Sequence, residues 1–239
     1  MKIIISGYGR MGHEIEKVAV ERGHMVVATP DNNEAWSALT LTTETCDVVI
    51  DFSTPQSAAL VVNQCLNAMI PVVSGTTGWQ NELDKIKEIC RATGGSFFYA
   101  PNFSIGVNIF YEVNRKLAHL LSGHDYAPRL NEIHHIHKLD APSGTAISLA
   151  NDIVSANRQM KSWKPGESTN RSILPVISER SGDVPGTHIV TWISEADTIE
   201  IKHSAHNRRG FATGAVLAAE WLQGRNGVFG MPDLLNTGT

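Results

Sequence analysis

Over the first hundred residues, short runs of β-branched and apolar residues alternate with longer stretches whose apolar residues recur at helical spacing. Runs of the first kind predict strands, and apolar residues three or four positions apart predict one buried face of a helix. This alternation predicts a parallel sheet with crossover helices. The predicted strands cover residues 2–6, 25–29, 47–52, 71–74 and 96–100. The predicted helices between them cover residues 11–22, 57–66 and 81–93.

Beyond about residue 104 the pattern changes. Apolar spacing predicts helices at 107–121 and 145–157, with a strand at 127–133 between them. From residue 173 to residue 205 apolar and polar residues alternate with a period of two, which is typical of strands with one exposed face, two of them at 188–194 and 198–203. A last helix is predicted at 211–222. The chain is therefore predicted to be α/β: a Rossmann-like doubly wound parallel sheet and a second, α+β domain containing an open, mostly antiparallel sheet.

A glycine-rich turn follows the first predicted strand. Gly7, Gly9 and Gly12 have the spacing G-x-G-x-x-G, which permits a tight turn, close approach to a pyrophosphate and close helix packing. Asp31 lies about 20 residues further on, where a carboxylate can accept hydrogen bonds from an adenosine ribose. Arg10 is either a phosphate contact or a solvated cation. The combination favours dinucleotide binding, and the alternative is a structural turn in which Asp31 serves as a cap.

Composition and charge narrow the range of functions. With 42% hydrophobic and 18% charged residues, the chain has the composition of an ordinary globular protein. Its net charge of -4 argues against a broad nucleic-acid-binding face. The three cysteines lack the spacing of a zinc site or a redox pair, which favours a reducing compartment. The sequence has neither a signal-peptide pattern nor a long apolar run, so we expect a cytoplasmic protein without nucleic-acid or membrane partners.

Residues 132–146 read E-I-H-H-I-H-K-L-D-A-P-S-G-T-A and contain three of the ten histidines. Zinc is one explanation, but no cysteine or H-E-x-x-H pattern completes a ligand set and Lys138 would repel a cation, so we expect no metal. Histidine transfers protons near neutral pH. Ser143 is a natural helix cap, and the amides of Gly144 and Thr145 after it would hold a carboxylate. This predicts a site for an anionic substrate, in which Glu132 either orients an imidazole or faces a neighbouring basic residue; the alternative is ordinary loop histidines beside a solvated lysine.

With these residues the chain resembles the dihydrodipicolinate reductase family, which acts in the diaminopimelate route to lysine. The stretch at residues 132–146 matches the signature of that family. The resemblance extends over nearly the whole chain, through further segments that agree in the same order: residues 7–12, V-I-D-F-S at 49–53, G-T-T-G at 75–78, A-P-N-F-S at 100–104, R-S-G-D-V-P-G-T-H at 180–188, and residues 211–216.

The resemblance implies NADH- or NADPH-dependent reduction of a small cyclic dicarboxylate by a homotetramer built through the sheet of the second domain. It implies that His134 and Lys138 are catalytic and that His135, Gly144 and Thr145 bind the substrate. The residues that it assigns to the cofactor are Gly7, Tyr8, Gly9, Arg10, Met11, Gly12, Asp31, Gly75, Thr76, Thr77, Ala100, Pro101, Asn102 and Phe103.

The sequence pattern and the family resemblance together predict two domains with different roles. Residues 1–104 and 209–239 are expected to form the dinucleotide-binding domain, and residues 105–208 the substrate-binding and oligomerisation domain. Asp31 disfavours the 2′-phosphate of NADPH by charge repulsion, and Asn32 stands where many relatives carry an arginine that meets this phosphate. We therefore expect a preference for NADH.

Other functions remain open from the sequence alone. The same fold could serve a dehydrogenase or dehydratase acting on another small acid, and only the stretch at residues 132–146 argues against that. A non-catalytic dinucleotide-binding module would have no need of a histidine, a lysine and a helix-end cradle in succession. A histidine-based hydrolase would need a nucleophile, and the sequence contains no G-x-S-x-G pattern.

Overall fold

The computed structural model of the chain describes residues 1–236, which divide into two compact units. One unit comprises Met1–Ile105 and the chain from Arg208 onward, and the other comprises Gly106–Asn207. Residues 237–239, which the sequence assigns to the first domain, lie outside the described residues.

The helices and strands that were predicted begin and end within two residues of their expected positions. The strands in chain order are β1 Lys2–Ser6, β2 Met25–Ala28, β3 Val48–Asp51, β4 Val72–Ser74, β5 Ser96–Tyr99, β6 Ala127–His134, β7 Ser162–Pro165, β8 Ile173–Arg180, β9 Gly186–Ile193, β10 Thr198–Ala205 and β11 Gly227–Phe229. The helices are α1 Arg10–Glu21, α2 Asn33–Ser37, α3 Pro55–Asn67, α4 Gln80–Thr93, α5 Ile105–Leu120, α6 Gly144–Ala156, α7 Arg209–Leu222 and α8 Met231–Leu234.

The first unit is built on a parallel sheet with the strand order β11-β5-β4-β3-β1-β2. Helices α1 and α7 pack on one face and α3 and α4 on the other, so the central strands are buried on both faces and consist almost wholly of apolar residues. Because β1 lies between β2 and β3, the strand order reverses there. In such sheets the crevice beyond the carboxyl ends of the strands at this reversal is the usual ligand site. The predicted Rossmann-like fold is confirmed.

The second unit contains a sheet with the order β10-β9-β6-β8-β7. Along β6 half-buried and buried residues alternate, and the buried ones face α5 and α6. This packing leaves the opposite face of the sheet without a helix from the described part of the unit. It also places the end of β6, which carries His134, beside β8 and β9.

This second sheet is mixed, which refines the expectation of a mostly antiparallel one. β6 runs antiparallel to β9 and β9 to β10, but β8 runs parallel to both β6 and β7. The chain turns back through α6 before β7 and through residues 166–172 before β8, so both of these strands run in the direction of β6. A period of two indicates which face of a strand is exposed but not the direction of the neighbouring strands. The pattern therefore could not distinguish parallel from antiparallel pairing.

Four short elements were not predicted: α2, β7, β11 and α8. Each has five residues or fewer, which is too short for a periodic signal. α2 is marked only by its cap, in which the side chain of Asn32 accepts the Ala35 N–H at 2.8 Å. None of the helices formed by residues 1–236 combines the length and apolar character needed to cross a bilayer.

Candidate active site

The glycine-rich turn between β1 and α1 has a shape that requires glycine at two positions. Gly7 has a φ of +86°, and a Cβ there would lie 2.4 Å from the carbonyl oxygen of Phe52. A Cβ on Gly12 would lie 2.5 Å from the carbonyl oxygen of Gly7. A Cβ on Gly9, by contrast, would meet no described heavy atom within 4 Å. Gly7 and Gly12 therefore close the turn, while the backbone at Gly9 is open to a ligand.

Helix α1 directs its first amides at this turn. It begins at Arg10, and its N-cap Gly9 has no side chain that could satisfy these amides. Free amides and the positive end of a helix dipole favour an anion such as a pyrophosphate. Met11 and Gly12 lie in the first turn of α1, and Arg10 is exposed. The residues present therefore fit the diphosphate of a dinucleotide.

Asp31 lies against the glycine-rich turn. Its Oδ1 accepts the backbone N–H of Tyr8 at 2.7 Å, and the Gly7 N–H donates to the Pro30 carbonyl at 2.9 Å. These hydrogen bonds tie the end of β2 to the turn and place the carboxylate at the rim of a cleft of about 230 Å³. Residues that line this cleft include Gly7, Gly9, Asp31, Asn32, Trp36 and Phe52. The structure thus brings Asp31 together with the glycines, as expected.

Asp51 ends β3 as a buried carboxylate surrounded by hydroxyl donors. The hydroxyls of Ser53, Ser74 and Thr76 donate to it at 2.6, 2.8 and 2.8 Å. Burial raises the pKa of Asp51, and these hydrogen bonds oppose the rise. Asp51 therefore fixes the side chain of Thr76, a predicted cofactor residue. Sequence reasoning gave Asp51 no role, although an acid at the end of an apolar strand is a signal for one.

Phe52 connects the remaining predicted cofactor segments, residues 75–77 and 100–103. A Cβ on Gly75 would lie 2.3 Å from the Phe52 ring, and the ring centroid of Phe52 is 5.6 Å from that of Phe103. The two segments follow β4 and β5, which are neighbours in the sheet. They do not border the cleft at Asp31. The predicted cofactor residues therefore form two groups along the carboxyl edge of the sheet, with Phe52 between them.

In the second unit, His134 is the last residue of β6, and its side chain is only 8% exposed. A Cβ on Gly186 of β9 would lie 3.0 Å from its Nε2, so a larger residue there would crowd that atom. The ring makes an edge contact with His188, with 5.1 Å between centroids. Burial lowers the pKa of His134 to about 4; the Glu132 carboxylate opposes this shift and nearby cationic groups add to it. The imidazole is therefore neutral at neutral pH in the free protein.

Glu132 is fully buried in β6, two residues before His134. Its carboxylate accepts the Ser143 N–H at 3.0 and 3.2 Å and the Ser178 hydroxyl at 2.7 Å, and Arg180 Nη2 lies 3.5 Å away. Burial alone would raise the pKa of Glu132, but interactions with His188, Ser143 and Ser178 outweigh it and hold the pKa well below its usual range. The carboxylate is therefore ionised. Sequence reasoning considered Glu132 only as a possible orienter and missed Ser178, Arg180 and His188, whose positions depend on strand pairing.

Lys138 and His135 lie in the loop that follows β6. The Nζ of Lys138 donates to both oxygens of Asp140, at 2.7 and 2.9 Å, and its backbone N–H donates to the His135 carbonyl at 3.1 Å. The structure thus keeps Lys138 in the same loop as the predicted substrate residue His135, with its ammonium group bound to Asp140. The ammonium has three donors and its side chain is 23% exposed, so an anionic ligand would bind beside Asp140 or displace it.

Helix α6 begins as the sequence predicted. The N-cap Ser143 accepts the Ala146 N–H through its Oγ at 3.2 Å and donates its own N–H to Glu132. Gly144 and Thr145 form the first turn, whose amides have no acceptor within the helix. A Cβ on Gly144 would meet no described heavy atom within 4 Å. These two residues therefore offer open amides that suit a carboxylate.

Glu132, His134 and His188 are also residue types that bind zinc, and one ligand atom of each lies within 4.8 Å of the others. Their surroundings do not suit a cation. The Glu132 oxygens already accept hydrogen bonds, and Arg180 places a positive charge 3.5 Å from one of them. We therefore interpret the cluster as a hydrogen-bonded network, and the absence of a metal stays a prediction.

Comparison with known proteins covers both units. Residues 1–103 match the family model "Dihydrodipicolinate reductase, N-terminus", and residues 106–235 match "Dihydrodipicolinate reductase, C-terminus". A 4-hydroxy-tetrahydrodipicolinate reductase from Christiangramia forsetii is 46% identical over 237 residues, which cover 99% of this chain and 98% of that protein. The reductase of the same name from Akkermansia muciniphila is 33% identical, with 98% of each chain covered.

A solved structure shares the fold. The dipicolinate-bound dihydrodipicolinate reductase from Paenisporosarcina sp. TG-14 matches with a TM-score of 0.77, 22% identity and 98% of each chain covered. Both family models and the curated relatives agree with the resemblance that the signature at residues 132–146 indicated. The chain therefore belongs to the dihydrodipicolinate reductase family.

Proposed function

We propose that this protein is an oxidoreductase that uses NAD(P)H to reduce the cyclic dicarboxylate of the diaminopimelate route, forming tetrahydrodipicolinate on the way to L-lysine. The observation that carries this proposal is the strand–loop–helix segment from Glu132 to Thr145. It presents a buried imidazole, a lysine and the open amides of a helix within one unit, in a chain 46% identical to a reductase of that name.

His134 and the residues around it would handle the substrate. The cofactor, when bound, supplies a hydride to an unsaturated carbon of the ring, and a proton must then reach the neighbouring carbon. His134 Nε2, the ring nitrogen beside Gly186, delivers this proton, after which the imidazole is neutral and is reprotonated from water. Lys138, His135 and the amides of Gly144 and Thr145 would hold the two substrate carboxylates.

A dianionic substrate also explains how a neutral histidine can become an acid. In the free protein burial keeps the pKa of His134 at about 4. Carboxylates bound next to the imidazole favour its charged form and so raise that pKa. Substrate binding would thus be accompanied by protonation of His134, which supplies the proton that the reaction consumes.

The cofactor residues are proposed in two groups. Gly7, Tyr8, Gly9, Arg10, Met11, Gly12 and Asp31 would bind the adenosine and diphosphate. The second group would lie at the nicotinamide end and consists of Gly75, Thr76, Thr77, Ala100, Pro101, Asn102 and Phe103. The first group is supported by the open backbone at Gly9 and by the cleft beside Asp31. The second is supported by the contacts of Phe52 and by the carboxylate of Asp51 that fixes Thr76.

We further propose that NADH is preferred over NADPH. Among the described residues that line the cleft there is no lysine or arginine, and Asp31 places a negative charge there. Asp31→Asn is expected to lower the ratio of kcat/KM for NADH to that for NADPH by about 10-fold, because one charge repulsion of about 1.4 kcal/mol is removed. Steady-state kinetics with both cofactors measure this ratio.

Asp47→Asn is the matched control for this prediction. The Asp47 carboxylate also accepts a backbone N–H in the first unit, that of Lys2 at 2.6 Å, but it does not border the cleft. Its replacement should leave the cofactor ratio unchanged. An equal change in both variants, or wild-type protein that favours NADPH, would contradict the assignment of Asp31.

The assembly expected from the family is a homotetramer formed through the second sheet. The face of this sheet away from α5 and α6 pairs Asn131 with Ile189, and Ile193 at the end of β9 is 46% exposed. Light scattering of the purified protein is expected to give a mass of about four chains, because an open sheet face with exposed apolar residues favours association. A mass of one chain at micromolar concentration would refute this.

The reaction itself is tested by following the oxidation of NADH with the cyclic substrate made in situ from pyruvate and aspartate semialdehyde. Turnover that depends on both precursors supports the proposal. Folded protein that binds NADH but gives no turnover would instead favour the related possibility, a dehydrogenase or dehydratase for another small acid.

A further inference from the structure

The buried carboxylate of Glu132 lies between the two halves of the proposed substrate site. On one side its Oε2 is 3.4 Å from Nδ1 of His134. On the other side both its oxygens accept the N–H of Ser143, the residue that caps α6. Glu132 is therefore in contact with both the proton-transferring imidazole and the helix end that would hold a substrate carboxylate.

The ring nitrogens of His134 have different surroundings. Nδ1 is buried and makes no directed hydrogen bond within the described residues, and Glu132 Oε2 is the acceptor placed beside it. A small rotation of the ring would align that pair. Nε2 lies beside Gly186, where a side chain would crowd it, and it is not among the fully buried atoms that lack a partner. A proton on Nδ1 can thus be held by Glu132, while Nε2 remains the atom that can exchange a proton with a ligand.

Further titratable and charged groups surround His134. Lys138 lies in the following loop with Asp140 bound to it, Arg180 lies on β8 and His188 on β9. His203, on β10, lies beyond His188. Lys138, Arg180 and His188 oppose protonation of His134. Glu132 favours it, and unlike Asp140 it is fully buried, where screening by solvent is weak.

We propose that Glu132 is a positioning residue for the reduction: it holds His134 as the Nδ1–H tautomer with Nε2 free, supports the imidazolium that donates the proton, and fixes α6 relative to that imidazole. This inference rests on the proposed function for its kinetic consequence, but the tautomer can be observed without any turnover. The orientation follows a general rule, since a carboxylate that accepts one N–H of an imidazole determines which nitrogen is available for chemistry.

The kinetic test is Glu132→Gln, which keeps an oxygen for the Ser143 N–H and removes the charge. Without the charge the imidazolium is less stable, so we expect kcat to fall about 100-fold. A general acid must be protonated, so the rate falls as pH rises through its pKa in the complex. A lower pKa moves this fall to lower pH, and the deficit of the variant should therefore grow as pH increases. The dissociation constant for NADH should not change.

Ser178→Ala is the matched control. It removes the 2.7 Å hydrogen bond to Glu132 and retains the charge, so we expect at most a few-fold loss of kcat and an unchanged pH profile. Glu132→Asp restores the charge and should restore the wild-type pH profile at reduced kcat. A Glu132→Gln protein that keeps the wild-type pH profile would overturn the proposal. A purely structural role of Glu132 would give that result, with a loss of kcat that follows the loss of unfolding free energy.

A second measurement uses the wild-type protein and does not depend on whether a variant folds. Nitrogen NMR of the protein with isotope-labelled histidine reports which ring nitrogen carries the proton at neutral pH. The signals of His134 are those that are missing from the spectrum of His134→Gln. We expect Nδ1–H. A predominant Nε2–H tautomer would overturn the proposal. An Nδ1–H tautomer in a protein without reductase turnover would leave the positioning role of Glu132 supported and refute the proposed function instead.

Discussion

Replacing His134 with glutamine is expected to lower kcat by about 10²- to 10⁴-fold, the range that a positioned general acid contributes. Glutamine is similar in length and remains polar, but it cannot donate a proton from a charged form at neutral pH. The substrate carboxylates would still find Lys138 and the amides of α6, so KM should change much less than kcat. Turnover of NADH with the cyclic substrate measures both quantities.

The control for this variant is His137→Gln. His137 is exposed in the same loop and has no role in the proposed site. It should retain full activity, which separates the loss of a particular imidazole from the loss of a histidine in this segment. Both proteins should bind NADH as the wild type does, because the cofactor residues belong to the other unit. A His134→Gln protein with more than about a tenth of wild-type kcat would exclude His134 as the proton donor.

Replacing Gly214 with alanine is expected to lower the free energy of unfolding by at least about 3 kcal/mol, the upper range for overpacking a core. Gly214 lies in the buried face of α7, and a Cβ there would lie 1.8 Å from the carbonyl oxygen of Phe103. The obstructing atom belongs to the backbone, so no side-chain rotation can relieve the clash. Either α7 or the segment at residues 100–103 must move. Urea denaturation measures the loss.

Gly210→Ala in the same helix is the matched control. The nearest atom to a Cβ at Gly210 is the Ser104 hydroxyl oxygen at 3.9 Å, an ordinary contact. Alanine also favours a helix over glycine by up to about 1 kcal/mol, so this variant should be as stable as the wild type or slightly more stable. Equal stability of Gly214→Ala and Gly210→Ala would mean that α7 does not pack as closely on Phe103 as described. A Gly214→Ala protein that still folds should have a raised KM for NADH, since Phe103 lies in the second cofactor group.

Prediction from sequence succeeded where the signal is local. The apolar runs of β1, β3 and β5 and the helical spacing of α1 and α4 gave the Rossmann-like sheet, because burial on both faces demands continuous apolar strands. The directions of the strands in the second unit were not accessible in this way. β8 alternates much as β9 does, yet it runs parallel to β6 because the chain returns through α6.

In the candidate site, too, features formed by adjacent residues were predictable and contacts between distant residues were not. The cap at Ser143, the open first turn of α6 and the glycine-rich turn follow from a few adjacent residues, and the sequence alone pointed to them. The contacts of the two buried carboxylates, Asp51 and Glu132, could not be predicted in this way. Asp51 gathers hydroxyls from residues 53, 74 and 76, and Glu132 gathers groups from β8, β9 and α6.

For this protein, the sequence by itself determined the order of most helices and strands, the glycine-rich turn, the family and the segment that carries His134. These features depend on local backbone preferences and on the period at which apolar residues recur, and both are visible in the sequence. Only the tertiary structure decided that Ser178, Arg180 and His188 surround Glu132, and that Gly186 lies beside Nε2 of His134. Residues that are far apart in the chain come into contact only through strand pairing and packing. The charge of His134, and which of its ring nitrogens carries a proton, depend on those contacts.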